Sequence, residues 1–172
     1  MDDGEAPVRE RTFTWDDPML GARLAPTLSG MDYLGGMIRG EYPAPPIAAA
    51  LGFWLETVEP GRAVFAAVPA EFQYNPIGVV HGGFTATLCD SAMACAVHST
   101  LPAGTGYTTL EMKVSLVRAI TVDTGRVTCE GTVIHAGGRV ATAEARITDA
   151  AGRLYAHATS TCIILRGGPA GK

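Results

Sequence analysis

The chain has 172 residues, 47% hydrophobic and 17% charged, which is enough apolar material for one packed core and excludes a disordered chain. Its formal charge of −4 provides no general attraction for nucleic acid or an anionic membrane surface. Its apolar runs fall short of the ~20 residues a membrane helix needs, and Asp2-Asp3-Gly4-Glu5 is the wrong charge for a secretory leader, so the expected setting is cytoplasmic.

Residues 1–14 are polar and read as a loose start. Asp16-Asp17-Pro18 marks a helix start, and Pro26 stops that helix. Ser29 caps a second helix with an apolar stripe of Met31, Leu34 and Ile38, Met37 beside it, and Gly40 as its stop. Pro43, Pro45 and Pro46 form a stiff connector into a short helix, Ile47 to Leu51, closed by Gly52. Phe53 to Val58 and Arg62 to Val68 read as strands around a Pro60-Gly61 turn, and residues 69–80 as a loop.

Gly82 to about Thr100 is the one long helix. Leu88, Ala92, Met93, Ala96 and Val97 run almost around it, which predicts burial on most sides. Tyr107 to Arg118 alternates as a strand. Leu110, Met112, Val114 and Leu116 take one face, and Thr109, Glu111, Lys113 and Ser115 the other. Arg126 to His135, a Gly137-Gly138 hairpin, Arg139 to Thr148 and Leu154 to Leu165 complete the strands. Strands joined by hairpins with one long apolar helix predict an α+β fold, an antiparallel sheet covered by that helix. Residues 1–46 read as an N-terminal helical extension, 47–166 as the domain and 167–172 as a flexible tail.

The chemistry concentrates in Asn75-Pro76-Ile77-Gly78-Val79-Val80-His81-Gly82-Gly83 and the helix that follows. A helix start offers unpaired N–H groups and partial positive charge, suited to an oxyanion. Asp90 is a carboxylate among Leu, Ala, Met and Cys, where an acid needs a reason to be. The plainer readings are an acid held by Ser91 or backbone, glycines chosen for packing or positive φ, Asn75 as a turn residue and Thr109 as an ordinary strand threonine. Cys89, Cys95, Cys129 and Cys162 form no C-x-x-C pair, and apolar neighbours argue against a thiolate nucleophile. The four histidines lack metal-ligand spacing.

With Tyr74-Asn75-Pro76, Val80-His81-Gly82-Gly83, Leu88-Cys89-Asp90 and Tyr107 to Met112, the chain resembles the hotdog-fold acyl-CoA thioesterases. The nearest type is the phenylacetate-pathway (PaaI-like) group, related to hydroxybenzoyl-CoA thioesterases. The resemblance covers about residues 47–165. It implies a sheet wrapped around the central helix, a homodimer often doubled to a homotetramer, an acyl-CoA substrate and no cofactor or metal. It also implies site roles. The Gly82 N–H polarises the thioester carbonyl, Asn75 positions the thioester or the water, and Asp90 is nucleophile or general base. Thr109 assists the carboxylate and His81 shapes the turn. Arg118, Arg139 and Arg166, with Gly83 and Gly138, sit where this fold can meet coenzyme A phosphates, and solvated surface charge is the equal alternative for the arginines.

A helical rise of 1.5 Å puts Gly82 and Asp90 about 12 Å apart on one helix, too far to meet at one carbonyl. Two antiparallel helices across a two-fold axis would bring Gly82 of one subunit to Asp90 of the other. Trp54, Phe72, Tyr74, Phe84 and Met93 are candidates for an apolar acyl pocket or equally for the core, and the family resemblance implies an aromatic or short-to-medium acyl group. A hydratase or dehydratase with His81 as its base, or a non-catalytic acyl-CoA binding module, are the alternatives.

Overall fold

A computed structural model describes residues 8–166. The expected tail, residues 167–172, and the first seven residues of the expected loose start lie outside the described residues. The N-terminal extension holds α1 (Met19–Leu24) and α2 (Gly30–Ile38), and α3 (Pro46–Leu51) leads into the sheet. The sheet strands are β1 (Phe53–Glu59), β2 (Arg62–Ala67), β3 (Thr105–Leu116), β4 (Val127–Ala136), β5 (Val140–Asp149) and β6 (Leu154–Arg166), and α4 (Gly82–His98) crosses between β2 and β3. The six strands form one antiparallel sheet in the order β1-β2-β4-β5-β6-β3, which leaves β1 and β3 at its edges.

The core forms where α4 packs on the sheet. Leu88, Cys89, Ala92, Met93 and Val97 meet Phe65, Val127, Cys129, Ala143, Ala145 and Ile147 in one buried cluster. The sheet's inward side chains are often Ala, so the helix sits close. At Gly131 a Cβ would lie 2.3 Å from the Ala92 carbonyl, so only glycine fits beneath the helix there.

The helix is buried on most sides, as its composition predicts, with nine of its seventeen residues buried. In the described chain Thr87, Asp90, Ser91 and Ala94 are half-buried and Gly83 is exposed, which leaves one face of α4 open. The residues on this face are small or polar, a pattern that a count of apolar positions overlooks.

The caps form as expected. Ser29 accepts from the Asp32 N–H at 3.1 Å, and Gly52 closes α3 in the left-handed region with φ 76°. The buried face of α2 is Gly30, Leu34 and Gly36, however, and Ile38 is exposed. Docking sets this rotation: the Gly30 N–H donates to the Leu101 carbonyl at 2.9 Å, and a Cβ on Gly30 would strike the His98 carbonyl. Helix α2 thereby lies against β1 and the C-terminal end of α4, with Tyr33 tilted on His98 at 5.4 Å.

The alternation expected for β3 is broken. The register steps from Thr109↔Cys162 to Glu111↔Thr161, so Leu110 is an extra, bulged residue. Thr109 therefore shares the inward face with Met112, Val114 and Leu116, opposite the buried Cys162, Ser160, Ala158 and Ala156.

Candidate active site

The loop before α4 is fixed at several points. Tyr74 bridges Val80, and within the loop the Asn75 N–H donates to Val79 O at 2.8 Å. Asn75 Oδ1 accepts from the Ile77 N–H at 3.0 Å and the Val79 N–H at 3.3 Å. The oxygen is thus assigned by its donors, and the Nδ2 amide remains free to donate. Buried Gln73 anchors the loop from below. Its amide donates to Leu51 O at 2.7 Å and accepts from the Ala70 N–H at 3.0 Å, and its carbonyl accepts from the His81 N–H at 2.8 Å.

His81 caps α4. Its Nδ1 accepts from the Gly83 N–H at 2.8 Å, and a Cβ on Gly83 would sit 2.9 Å from that atom. Neither Gly82 nor Gly83 has positive φ, so close approach, not turn conformation, explains both glycines. The Gly82 N–H, first of the helix, finds no acceptor among the described residues. A cavity of about 320 Å³ opens there, with Asn75, Gly82, Leu116, Arg118, Ile120 and Tyr155 in its wall. Asn75 and Gly82, each with an N–H (side-chain in Asn75, backbone in Gly82) that has no acceptor among the described residues, therefore line a common cavity.

Asp90 lies further along the same helix, on its open face. The Thr109 hydroxyl donates to Asp90 Oδ1 at 2.9 Å, a contact made possible by the bulge at Leu110. Among the described residues no donor reaches Oδ2, so one carboxylate oxygen is held and the other is free. Burial, and then the Asp90 charge, push the Cys95 thiol up to about 12. A side-chain contact with Cys89 and burial push Cys129 well up, and burial raises Cys162. These thiols stay protonated, which removes them as nucleophiles.

The thioesterase superfamily matches residues 77–156. A conserved protein from Pseudomonas aeruginosa is 30% identical over 71% of this chain and 95% of its own, with a TM-score of 0.67. The chain belongs to the thioesterase superfamily. This thioesterase is also similar to a putative thioesterase, a phenylacetic acid degradation-related protein from Ralstonia eutropha. The two are 29% identical over 76% of this chain and 98% of that one, TM-score 0.69. An asparagine-to-aspartate mutant of phenylacetic acid degradation protein PaaI from Thermus thermophilus is 28% identical over 69% and 97%, TM-score 0.62. No protein with a curated description matches by sequence. The molecule is a hotdog-fold, PaaI-like thioester hydrolase.

The thioesterase brings some sequence-predicted residues together and separates others. Asn75, Gly82 and Arg118 share the cavity, with His81 and Gly83 at its helix cap, and Thr109 meets Asp90. Gly138 and Arg139 lie at the far end of β6, where Ile164 N–H donates to Arg139 O at 2.9 Å, whereas Arg118 N–H donates to Tyr155 O. Nine strand residues separate those ends by about 30 Å, so Arg118 and Arg139 of one chain cannot share a ligand group. Arg166 lines a second cavity of about 380 Å³ at that far end, with Thr100, Thr105 and Gly137.

The apolar candidates divide between core and surface. Phe84 and Met93 are buried core, Trp54 and Phe72 are exposed, and Phe72 lies under the Arg11 guanidinium at 3.8 Å. The Tyr74 hydroxyl accepts from the Val122 N–H at 2.9 Å. The sequence reading missed Tyr155, Ile120 and Gln73. Their roles depend on strand order and loop anchoring, and none lies in a motif.

Proposed function

We propose that this thioesterase hydrolyses an acyl-CoA, aromatic or short-to-medium in its acyl group, to the free acid and coenzyme A. The unpartnered Gly82 N–H at the cavity wall carries this reading, because an open backbone donor at a helix start suits a carbonyl gaining negative charge. Asn75 Nδ2 is the second donor. The free Oδ2 of Asp90 takes a proton from water as the water oxygen bonds to the carbonyl carbon. The tetrahedral oxyanion then collapses, the C–S bond breaks and the thiolate leaves to be protonated. In the covalent variant Oδ2 attacks the carbon and water opens the resulting anhydride. Oxygen-18 found in Asp90 after a single turnover in labelled water identifies the covalent route with water opening the anhydride at the aspartyl carbonyl, because the general-base route labels the acid product alone.

One chain does not unite these groups, with about 12 Å of helix between Gly82 and Asp90. The reading therefore includes a homodimer in which Gly82 and Asn75 of one subunit face Asp90 of the other, and dimers that associate as tetramers. Two features support it: β3 is an edge strand with Leu110 and Leu116 more than half exposed, and α4 presents an open face of small residues. His81 Nδ1 is engaged in the helix cap, which weighs against a histidine-based hydratase.

Thiol release from phenylacetyl-, benzoyl- and straight-chain CoA esters, wild type beside Asp90→Asn, tests the proposal. Loss of a general base typically costs about 10²–10⁴-fold in rate. Full activity in Asp90→Asn would exclude the mechanism. Turnover confined to long straight chains would exclude the acyl class.

A further inference from the structure

Arg118 differs from the arginines that pair with carboxylates, such as Arg39, Arg62 and Arg153. It lines the cavity beside Gly82, and its Nη1 donates to the Leu154 carbonyl at 3.0 Å, with no carboxylate partner among the described residues. Its guanidinium carbon stands 5.5 Å from the centre of the Tyr155 ring. That ring is buried and also lines the cavity. Its hydroxyl donates to Asp149 Oδ2 at 3.0 Å. The Asp149 carboxylate, itself buried, accepts from the Ala151 N–H at 2.9 Å, the Arg153 N–H at 3.0 Å and Arg153 Nε at 2.6 Å. A chain of fixed contacts thus runs from the β5–β6 turn to a cation at the cavity.

We infer that Tyr155 and Asp149 are positioning residues that hold the Arg118 guanidinium at the cavity to take a phosphate of the thiol carrier. The inference rests on the thioester reading of the cavity. Arg118 keeps Nε and Nη2 free for phosphate oxygens while Nη1 and the ring fix its plane. The phosphorus chemistry is a phosphate ester on a pantetheine arm, supplied by the nucleotide of coenzyme A or by the phosphodiester of a carrier-bound arm. Burial pushes the Asp149 carboxyl up, but the donors from Arg153, Tyr155 and Ala151 outweigh it and bring it to about 2. The carboxylate is therefore ionised at every working pH, and the Tyr155 hydroxyl remains its donor.

Calorimetric binding of free coenzyme A, 4′-phosphopantetheine and pantetheine tests this, with KM and kcat on the matching thioesters. Tyr155→Phe keeps the ring and removes the hydroxyl. It is expected to weaken coenzyme A binding about threefold and Arg118→Ala about tenfold, with KM on coenzyme A thioesters rising by the same factors and pantetheine binding unaffected. In the Arg118→Ala background Tyr155→Phe should have no further effect. Asp149→Asn should follow Tyr155→Phe. An equal loss for all three ligands, or a Tyr155→Phe effect that persists without Arg118, would overturn the assignment. Losses equal for coenzyme A and 4′-phosphopantetheine place the contact at the shared phosphate, and a loss for coenzyme A alone places it at the nucleotide. Binding that depends on Arg118 in a protein that hydrolyses nothing would leave this inference standing and sink the hydrolase mechanism.

Discussion

In the proposed mechanism Asn75 serves both structure and chemistry. Its oxygen is committed to the Ile77 and Val79 N–H groups, its nitrogen has no hydrogen-bond partner among the described residues, and the residue lines the cavity. Asn75→Asp keeps an oxygen for both loop donors and replaces the amide donor with an acceptor. The melting temperature is therefore expected to hold while kcat falls about 10²–10³-fold, the usual cost of one oxyanion donor. A matching fall in melting temperature would return Asn75 to a purely structural role. Turn and catalysis look like rivals for this residue in the sequence; the geometry makes them compatible because the amide has two ends. Thr109 follows the same logic on the carboxylate side. Thr109→Val removes the donor to Asp90 Oδ1 and is expected to slow turnover about tenfold, with Thr109→Ser restoring most of it.

The elements were legible where one local rule decides them. Ser29, Gly52 and the hairpin turns mark their boundaries from the sequence alone, because caps and turns are short-range chemistry. The bulge at Leu110 was not legible, since Tyr107 to Leu116 reads as unbroken alternation and only pairing with β6 reveals the extra residue. The facing of α2 was hidden for a similar reason: His98 and Leu101, distant in sequence, set it. Gly131 lies beneath α4, and Gly131→Ala is expected to cost about 2–3 kcal/mol in chemical denaturation, because the opposing atoms are backbone and cannot yield. His98 joins α2, α4 and β3 between the rings of Tyr33 and Tyr107. Burial lowers it from its ordinary value to about 4. An unfolded chain takes up that proton near pH 6.5 while the folded one resists it, so stability is full above pH 6.5 and declines as pH falls towards 4. At about 1.4 kcal/mol per unit the decline is at most about 3 kcal/mol. Melting temperatures that do not change between pH 7.5 and 5 would show that His98 is not the cause.

At the scale of the whole molecule, the question is whether one chain can make a site at all. Asn75 and Gly82 share one cavity, and Asp90 stands eight residues down the helix with Thr109. Helical rise alone states this separation from the sequence, and no rotamer of one aspartate spans about 12 Å. The proposed two-fold arrangement would turn the same distance into complementarity, because each site would then take its donors from one subunit and its carboxylate from the other. Mixing two inactive proteins tests it. An Asp90→Asn subunit keeps Asn75 and Gly82, and an Asn75→Asp subunit keeps Asp90. A heterodimer of the two has one intact site and one site with both defects. Random reassociation makes half of the dimers mixed, and half of their sites intact, so recovered activity is expected to reach about a quarter of wild type. Sites built within single chains would recover nothing on mixing, whatever the oligomeric state, because every chain in the mixture carries a defect.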